Sequence, residues 1–93
     1  MSRARAKPPE RWWLYLVECR GGRLYCGIAR KPRARFAQHA AGKGAKFTRA
    51  FGAQKLLAMR RCASRSAALK AEYALKQLTR PQKQAWALHY RVD

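Results

Sequence analysis

Acidic side chains are scarce in this 93-residue chain: only Glu10, Glu18, Glu72 and Asp93 carry one. Glu10 stands near the start and Asp93 at the end, so a folded body has Glu18 and Glu72 to work with. That excludes a two-metal centre, which needs several clustered carboxylates. Asparagine is absent altogether. Cys19, Cys26 and Cys62 stand singly, with no Cys-x-x-Cys and few histidines. They offer neither a zinc site nor a disulfide framework, and read as reduced, partly buried thiols. No apolar run approaches the roughly 18 residues that span a bilayer. The opening Met-Ser-Arg-Ala-Arg-Ala-Lys-Pro-Pro lacks the apolar segment of a signal peptide. A soluble, cytoplasmic protein is expected. Internal repeats and low-complexity tracts are also missing.

What is abundant is positive charge. Twenty-two lysines and arginines give a formal net charge of +18. Such a field concentrates polyanions and speeds encounter with them. Nucleic acid is the leading partner, because each neutralised phosphate releases counterions; an anionic membrane surface is the competitor. The length makes one domain, and 48% hydrophobic residues is an ordinary globular content.

Residues 1–11 are basic and contain proline, and read as a mobile arm. Residues 12–19 are aromatic and aliphatic throughout and suit a strand. Gly21-Gly22 turns the chain, and residues 24–28 return as the hairpin partner. Pro32 suits the first turn of a helix ending at Gly42. Residues 43–51 form a basic loop, or a loop with a short helical turn. Residues 54–62 make a third strand through Leu56, Leu57 and Met59. Ser64 caps the longest helix, which runs to about Leu78 with Ala68, Ala71, Leu75 and Leu78 on one apolar face. Thr79 and Pro81 start a last helix that carries Trp86 and Leu88 inward. The fold expected is a small α+β layer, a three-stranded antiparallel sheet flanked by helices. The domain occupies residues 12–88, and residues 89–93 form a tail.

Within this frame Tyr15 and Tyr25 flank the Gly-Gly turn, Arg35 and His39 follow at helical spacing, and Glu72 falls on the long helix. Leu14-Tyr15-Leu16 and Tyr25-Cys26-Gly27, then Arg35-x-x-x-His39 and Glu72, resemble in order and spacing the motifs of the GIY-YIG nuclease superfamily. Residues 42–49 and 71–78 look like its small stand-alone YhbQ-like bacterial subfamily in particular. The likeness covers about three quarters of the chain. There are departures: Leu14 and Leu16 replace the glycine and isoleucine of the first motif, and Cys26 replaces the isoleucine of the second. Ile28 stands where some relatives have lysine, and the asparagine that many carry after the glutamate is missing.

The resemblance implies a metal-dependent endonuclease that hydrolyses nucleic-acid phosphodiester bonds, with DNA in branched, flapped or single-stranded structures as the expected substrate and a role in DNA repair. Tyr15, Tyr25, Arg35, His39 and Glu72 are its catalytic candidates, and Glu72 is the ligand for one Mg²⁺ or Mn²⁺. Mg²⁺ keeps most of its waters and often takes one or two carboxylates plus substrate oxygens, so one glutamate suffices. The competing reading of Glu72 is an exposed pair with Lys76 at i,i+4. Tyr15 and Tyr25 are strand aromatics unless they share a face. A strict two-residue turn would separate them, whereas an odd loop or a glycine bulge would bring them together, and the odd register is expected. A positive field and a metal-bound water would favour loss of a phenolic proton, with Tyr25 preferred as proton acceptor. Arg35 suits a bidentate grip on phosphate. His39 fits three roles equally: acid or base, phosphate donor, or a histidine favoured at a helix C-terminus.

Lys43, Lys46, Thr48, Arg49 and Lys76 are the candidates for backbone phosphate contacts, with Lys83 and the arm in support. Trp12 and Trp13 suit base stacking or the core. No stretch reads as a targeting module, so substrate choice is expected from a protein partner or from weak recognition of nucleic-acid shape. Two rivals fit the charge: a non-catalytic nucleic-acid binder that keeps the fold, and a basic RNA- or ribosome-associated protein.

Overall fold

A computed structural model describes residues 11–92. Residues 1–10, which hold most of the expected basic arm, lie outside the described residues. The elements run β1 (Trp12–Cys19), β2 (Leu24–Ala29), α1 (Pro32–Ala40), α2 (Lys46–Phe51), β3 (Ala53–Cys62), α3 (Arg65–Lys76) and α4 (Arg80–His89). The strands form one antiparallel sheet in the order β2-β1-β3.

β1 is central, and this explains its uninterrupted apolar sequence. Leu14 and Leu16 enter one core with Ala68 and Leu75 of α3 and Ala87 of α4. Tyr15 and Val17 enter a second core, against which Phe36 of α1 and Phe47 and Phe51 of α2 pack. A strand covered on both faces needs no polar alternation. Of the two readings of residues 43–51, the loop with a short helical turn is the one observed: a six-residue helix docked by Phe47 and Phe51.

The hairpin register follows the odd loop. Arg20–Gly22 makes a tight turn, and Gly21 and Gly22 have φ of 74° and 75°, a region costly for any residue with a Cβ. Cys19 N–H donates to Arg23 O at 2.7 Å to close it. Val17 therefore pairs with Tyr25 and Tyr15 with Gly27. Because side chains alternate along a strand, both tyrosines emerge on the same face.

Ser64 Oγ accepts the Ala67 N–H at 3.1 Å at the start of α3. α4 opens with a reciprocal capping box between Thr79 and Gln82. One expectation fails here: Leu88 is 70% exposed rather than turned inward. The face that meets the core runs through Lys83, Trp86, Ala87 and Tyr90, and Leu88 falls a helical step beyond it. The chain end, expected as a tail, returns to the sheet: Met59 N–H donates to Tyr90 O and Val92 N–H to Leu57 O, each at 3.1 Å.

Candidate active site

The shared face of β1 and β2 brings three rings together. Tyr15 and Tyr25 have ring centroids 6.4 Å apart, and the His39 imidazole lies 5.9 Å from the first and 5.2 Å from the second. Tyr15 is 1% exposed, with its Oη 2.9 Å from His39 Nε2. His39 is equally buried, and its Nδ1 lies 2.9 Å from Thr48 Oγ1 and accepts the Ala45 N–H at 3.3 Å. Thr48 Oγ1 in turn donates to Ala45 O at 2.9 Å. Both imidazole nitrogens are thus engaged, which is how a buried polar ring avoids the cost of unmade hydrogen bonds. Two glycines make room for the cluster. A Cβ on Gly27 would meet Tyr15 Oη at 2.5 Å, and one on Gly44 would overlap the imidazole.

Thr48 corrects an expectation. The basic stretch around it predicts a phosphate contact, but it is 1% exposed and spent on His39 and Ala45. The short helix α2 turns Thr48 inward with Phe47, and leaves Lys46 and Arg49 exposed along with Lys43 in the preceding turn. The three roles open to His39 do not include the contacts it makes here, with Tyr15 on one side and Thr48 on the other.

Arg35 stands one helical turn before His39 on α1, half-buried, with its Nη1 donating to Gln38 Oε1 at 2.7 Å. Its charge acts on Tyr15, Tyr25 and His39 alike. Glu72 reaches the site from the other layer. α3 packs across the opposite side of the sheet, over β2 and β1, and the Glu72 carboxylate is felt by both phenols and by the Cys26 thiol. Its side chain is 19% exposed and lies 3.6 Å from Lys76 Nζ. The i,i+4 pair anticipated as the rival reading of Glu72 is therefore present, while the carboxylate's charge is also felt at the cluster.

The electrostatics of the protein's own groups run against one expectation. Burial pushes the Tyr15 phenol far above its ordinary range; Tyr25 adds to the rise, and Arg35 opposes it without cancelling it. Burial also raises Tyr25, against Arg35 and Lys76, which lower it. Desolvation outweighs the positive field, so both phenols keep their protons at neutral pH. His39 is pushed down, first by burial and then by Arg35, and is neutral there too.

A histidine that is depressed in the folded state binds fewer protons folded than unfolded. Stability from this group is therefore complete above the unfolded value of about 6.5 and is lost as pH falls below it, towards the folded pKa. Urea midpoints measured from pH 7.5 down to 4.5 are expected to drop below about 6.5, and His39→Gln to remove that part of the slope.

Among the described residues no group of three histidine, cysteine or acidic side chains could hold a metal by itself. The donor set is a single carboxylate. That suits a hard cation completed by waters and substrate oxygens, and does not suit zinc. The contact with Lys76 is no obstacle, since a partly exposed pair of this kind contributes only about 0–1 kcal/mol.

Several residues around the cluster escaped the sequence reading. Phe47 stacks on Tyr25 at 5.8 Å and 25°, and Phe51 lies 4.8 Å beyond Phe47. Arg23 sits 4.2 Å over the Phe51 ring. The i,i+4 spacing of Phe47 and Phe51 was the available signal, masked by the glycines and cations around it.

A β2-β1-β3 sheet presenting paired tyrosines, with an Arg-x-x-x-His helix and a glutamate on the helix behind it, has the architecture of a GIY-YIG domain. The model of the GIY-YIG catalytic domain matches residues 11–85, and the chain belongs to this family, a superfamily of nucleases. A UPF0213 protein of Cronobacter sakazakii is 51% identical over 75 residues, covering 81% of this chain and 79% of that protein. Another, from Cupriavidus pinatubonensis, is 49% identical, covering 81% and 83%. The solution NMR structure of a UPF0213 protein from Bacillus halodurans shares the fold with a TM-score of 0.52 at 36% identity, covering 82% of this chain and 81% of that one. No helix among the described residues is long and apolar enough to cross a membrane.

Proposed function

We propose that the protein is a metal-dependent endonuclease that hydrolyses phosphodiester bonds in DNA, selecting structure rather than sequence. The observation that carries this is the meeting of Tyr15, Tyr25, His39 and the charge of Arg35 on one sheet face, where the charge of Glu72 is also felt. Membership of a nuclease family and a net charge of +18 support it.

Glu72 would hold one Mg²⁺ or Mn²⁺, which when bound supplies Lewis-acid stabilisation to the phosphate and the leaving oxygen. Arg35 grips phosphate oxygens as negative charge grows on them. Lys76, beside Glu72, and the exposed Lys43, Lys46 and Arg49 neutralise flanking phosphates. Tyr15, enclosed and tied to His39, is a positioning residue that fixes the face on which Tyr25 works. Tyr25, only half-buried, is the phenol nearer solvent and orients the attacking water. It takes up the proton of that water only after losing its own. Because its pKa is raised above the ordinary phenol value, the phenolate fraction grows tenfold per pH unit throughout the neutral range. Single-turnover cleavage is therefore expected to climb without a plateau from pH 6.5 to 9, and Tyr25→Phe to be slower and to flatten the climb. An unchanged profile in that variant would assign the slope to another group.

The Glu72–Lys76 pair and the neutral phenols favour a second reading, a nucleic-acid binder that keeps the fold without cleaving. Incubation with end-labelled branched, flapped, single-stranded and duplex DNA separates the two. Cleavage in Mg²⁺ or Mn²⁺ that stops in EDTA supports the nuclease; binding to these DNAs with no cut in any of them supports the binder.

A further inference from the structure

Beside the candidate active site lies a cavity of about 370 Å³, lined by Arg23, Leu24, Phe47, Phe51, Arg80 and Lys83. Two aromatic rings and three cations around one opening is an unusual lining. An apolar ligand would leave the cations unanswered, and a simple anion would leave the rings unused. The first turn of α4, where Arg80 stands, contains no acid. A cation there opposes the helix dipole, a cost that a bound anion would relieve. The guanidinium of Arg80 also closes over the β1–β2 turn, where a Cβ on Gly22 would meet its Nη2 at 2.5 Å. This fixes one wall of the cavity to the hairpin that carries Tyr25.

We propose that this cavity receives one unpaired nucleobase of the bound DNA strand, next to the phosphate under attack. A planar ring with a phosphate on each side is the ligand that uses both parts of the lining, and the size is that of a small-ligand site. The aromatic path supplies the register. Tyr25 stacks on Phe47, and Phe47 lines the cavity, so a base inside is one ring away from the candidate catalytic phenol. Phe47, stacked on Tyr25, presents to the cavity the part of its ring that Tyr25 leaves uncovered, and Phe51, with Arg23 over it, lines the cavity beside it. Arg80 and Lys83 face the flanking phosphates. The inference rests on the nuclease reading only for where the phosphate sits. It adds that the substrate must have a base free to leave its stack, which favours flaps, junctions and single strands over intact duplex.

The test is a binding measurement in EDTA, with a hairpin DNA carrying a single-stranded flap whose nucleotides are replaced one at a time by an abasic analogue. One position near the junction is expected to weaken binding by about tenfold, the scale of one base–aromatic stack. Phe47→Leu keeps the apolar volume and removes the π-face, and is expected to abolish the sensitivity at that position alone. Arg80→Gln with Lys83→Gln is expected to weaken flap binding and to lower the salt dependence by about one to two phosphate contacts. Should Phe47→Leu not fold, the abasic scan of the parent protein and the Arg80/Lys83 variant still decide. Tight binding indifferent to every abasic position, or sensitivity that survives in folded Phe47→Leu, overturns the pocket and leaves the nuclease reading standing. Absence of binding to any DNA defeats both.

Discussion

Glu72→Gln is expected to lower metal-dependent cleavage by about a thousandfold while leaving DNA affinity within about twofold of the parent, the pattern of a group that acts in the transition state rather than in binding. Glutamine keeps the shape and the half-buried stem but gives up the charge. With Glu10 outside the described residues and Asp93 terminal, Glu18 is the remaining carboxylate of the folded body. It sits on β1 opposite Leu24 and Lys55, outside the tyrosine cluster. Among the described residues, therefore, no other carboxylate stands at the cluster to substitute for the lost ligand. Affinity is expected to hold because the +18 charge comes from twenty-two cations along the chain, and removing one negative charge can only favour a polyanion slightly. Lys76, freed from its partner, would add to this. A loss of affinity equal to the loss of cleavage would instead mean that Glu72 shapes the fold. Filter binding and single-turnover cleavage on the same flapped DNA separate these outcomes.

The second large effect is expected at a residue with no side chain. Gly27→Ala places a Cβ 2.5 Å from Tyr15 Oη and 2.8 Å from its Cζ. The ring is fully enclosed and held by His39, so neither side can yield cheaply. Overpacking of this kind costs about 1–3 kcal/mol. The strain falls on the contact that fixes the tyrosine face, and cleavage is expected to fall by about a hundredfold, the scale of a small misplacement at a reacting centre. Tyr15→Phe in the same chain removes the closest atom. It is expected to restore part of the urea midpoint while leaving cleavage low. Full recovery of activity in the double variant would mean that the Tyr15 hydroxyl has no positioning role.

How much of this was legible in the sequence differs from residue to residue, for physical reasons. The two adjacent glycines at 21 and 22 signalled a turn, and the requirement for both tyrosines on one face selected its register. Ser64 and Thr79 marked the starts of α3 and α4 because capping is local chemistry. Thr48 and Leu88 were misread because their fate depends on which side of a short helix meets the sheet, which local pattern alone does not decide. Phe47 and Phe51 were hidden among cations in a stretch that looks like a loop. The protonation of the phenols could not be read at all. The sequence displays the positive field, but desolvation, the larger effect, exists only once Tyr15 is enclosed. The cavity bounded by Arg23, Phe47 and Arg80 joins three segments distant in sequence, and no local pattern announces it.

The scarcity of acids makes the central claim quantitative: one carboxylate can organise one cation. The most direct measurement is the single-turnover rate of DNA cleavage as free Mn²⁺ is raised from EDTA-buffered trace levels to saturation. A hyperbola with a Hill coefficient of about one, reaching zero in EDTA, is the result expected of a one-ion site. A rise with the square of the ion concentration, or cutting that persists at full strength in EDTA, would contradict it.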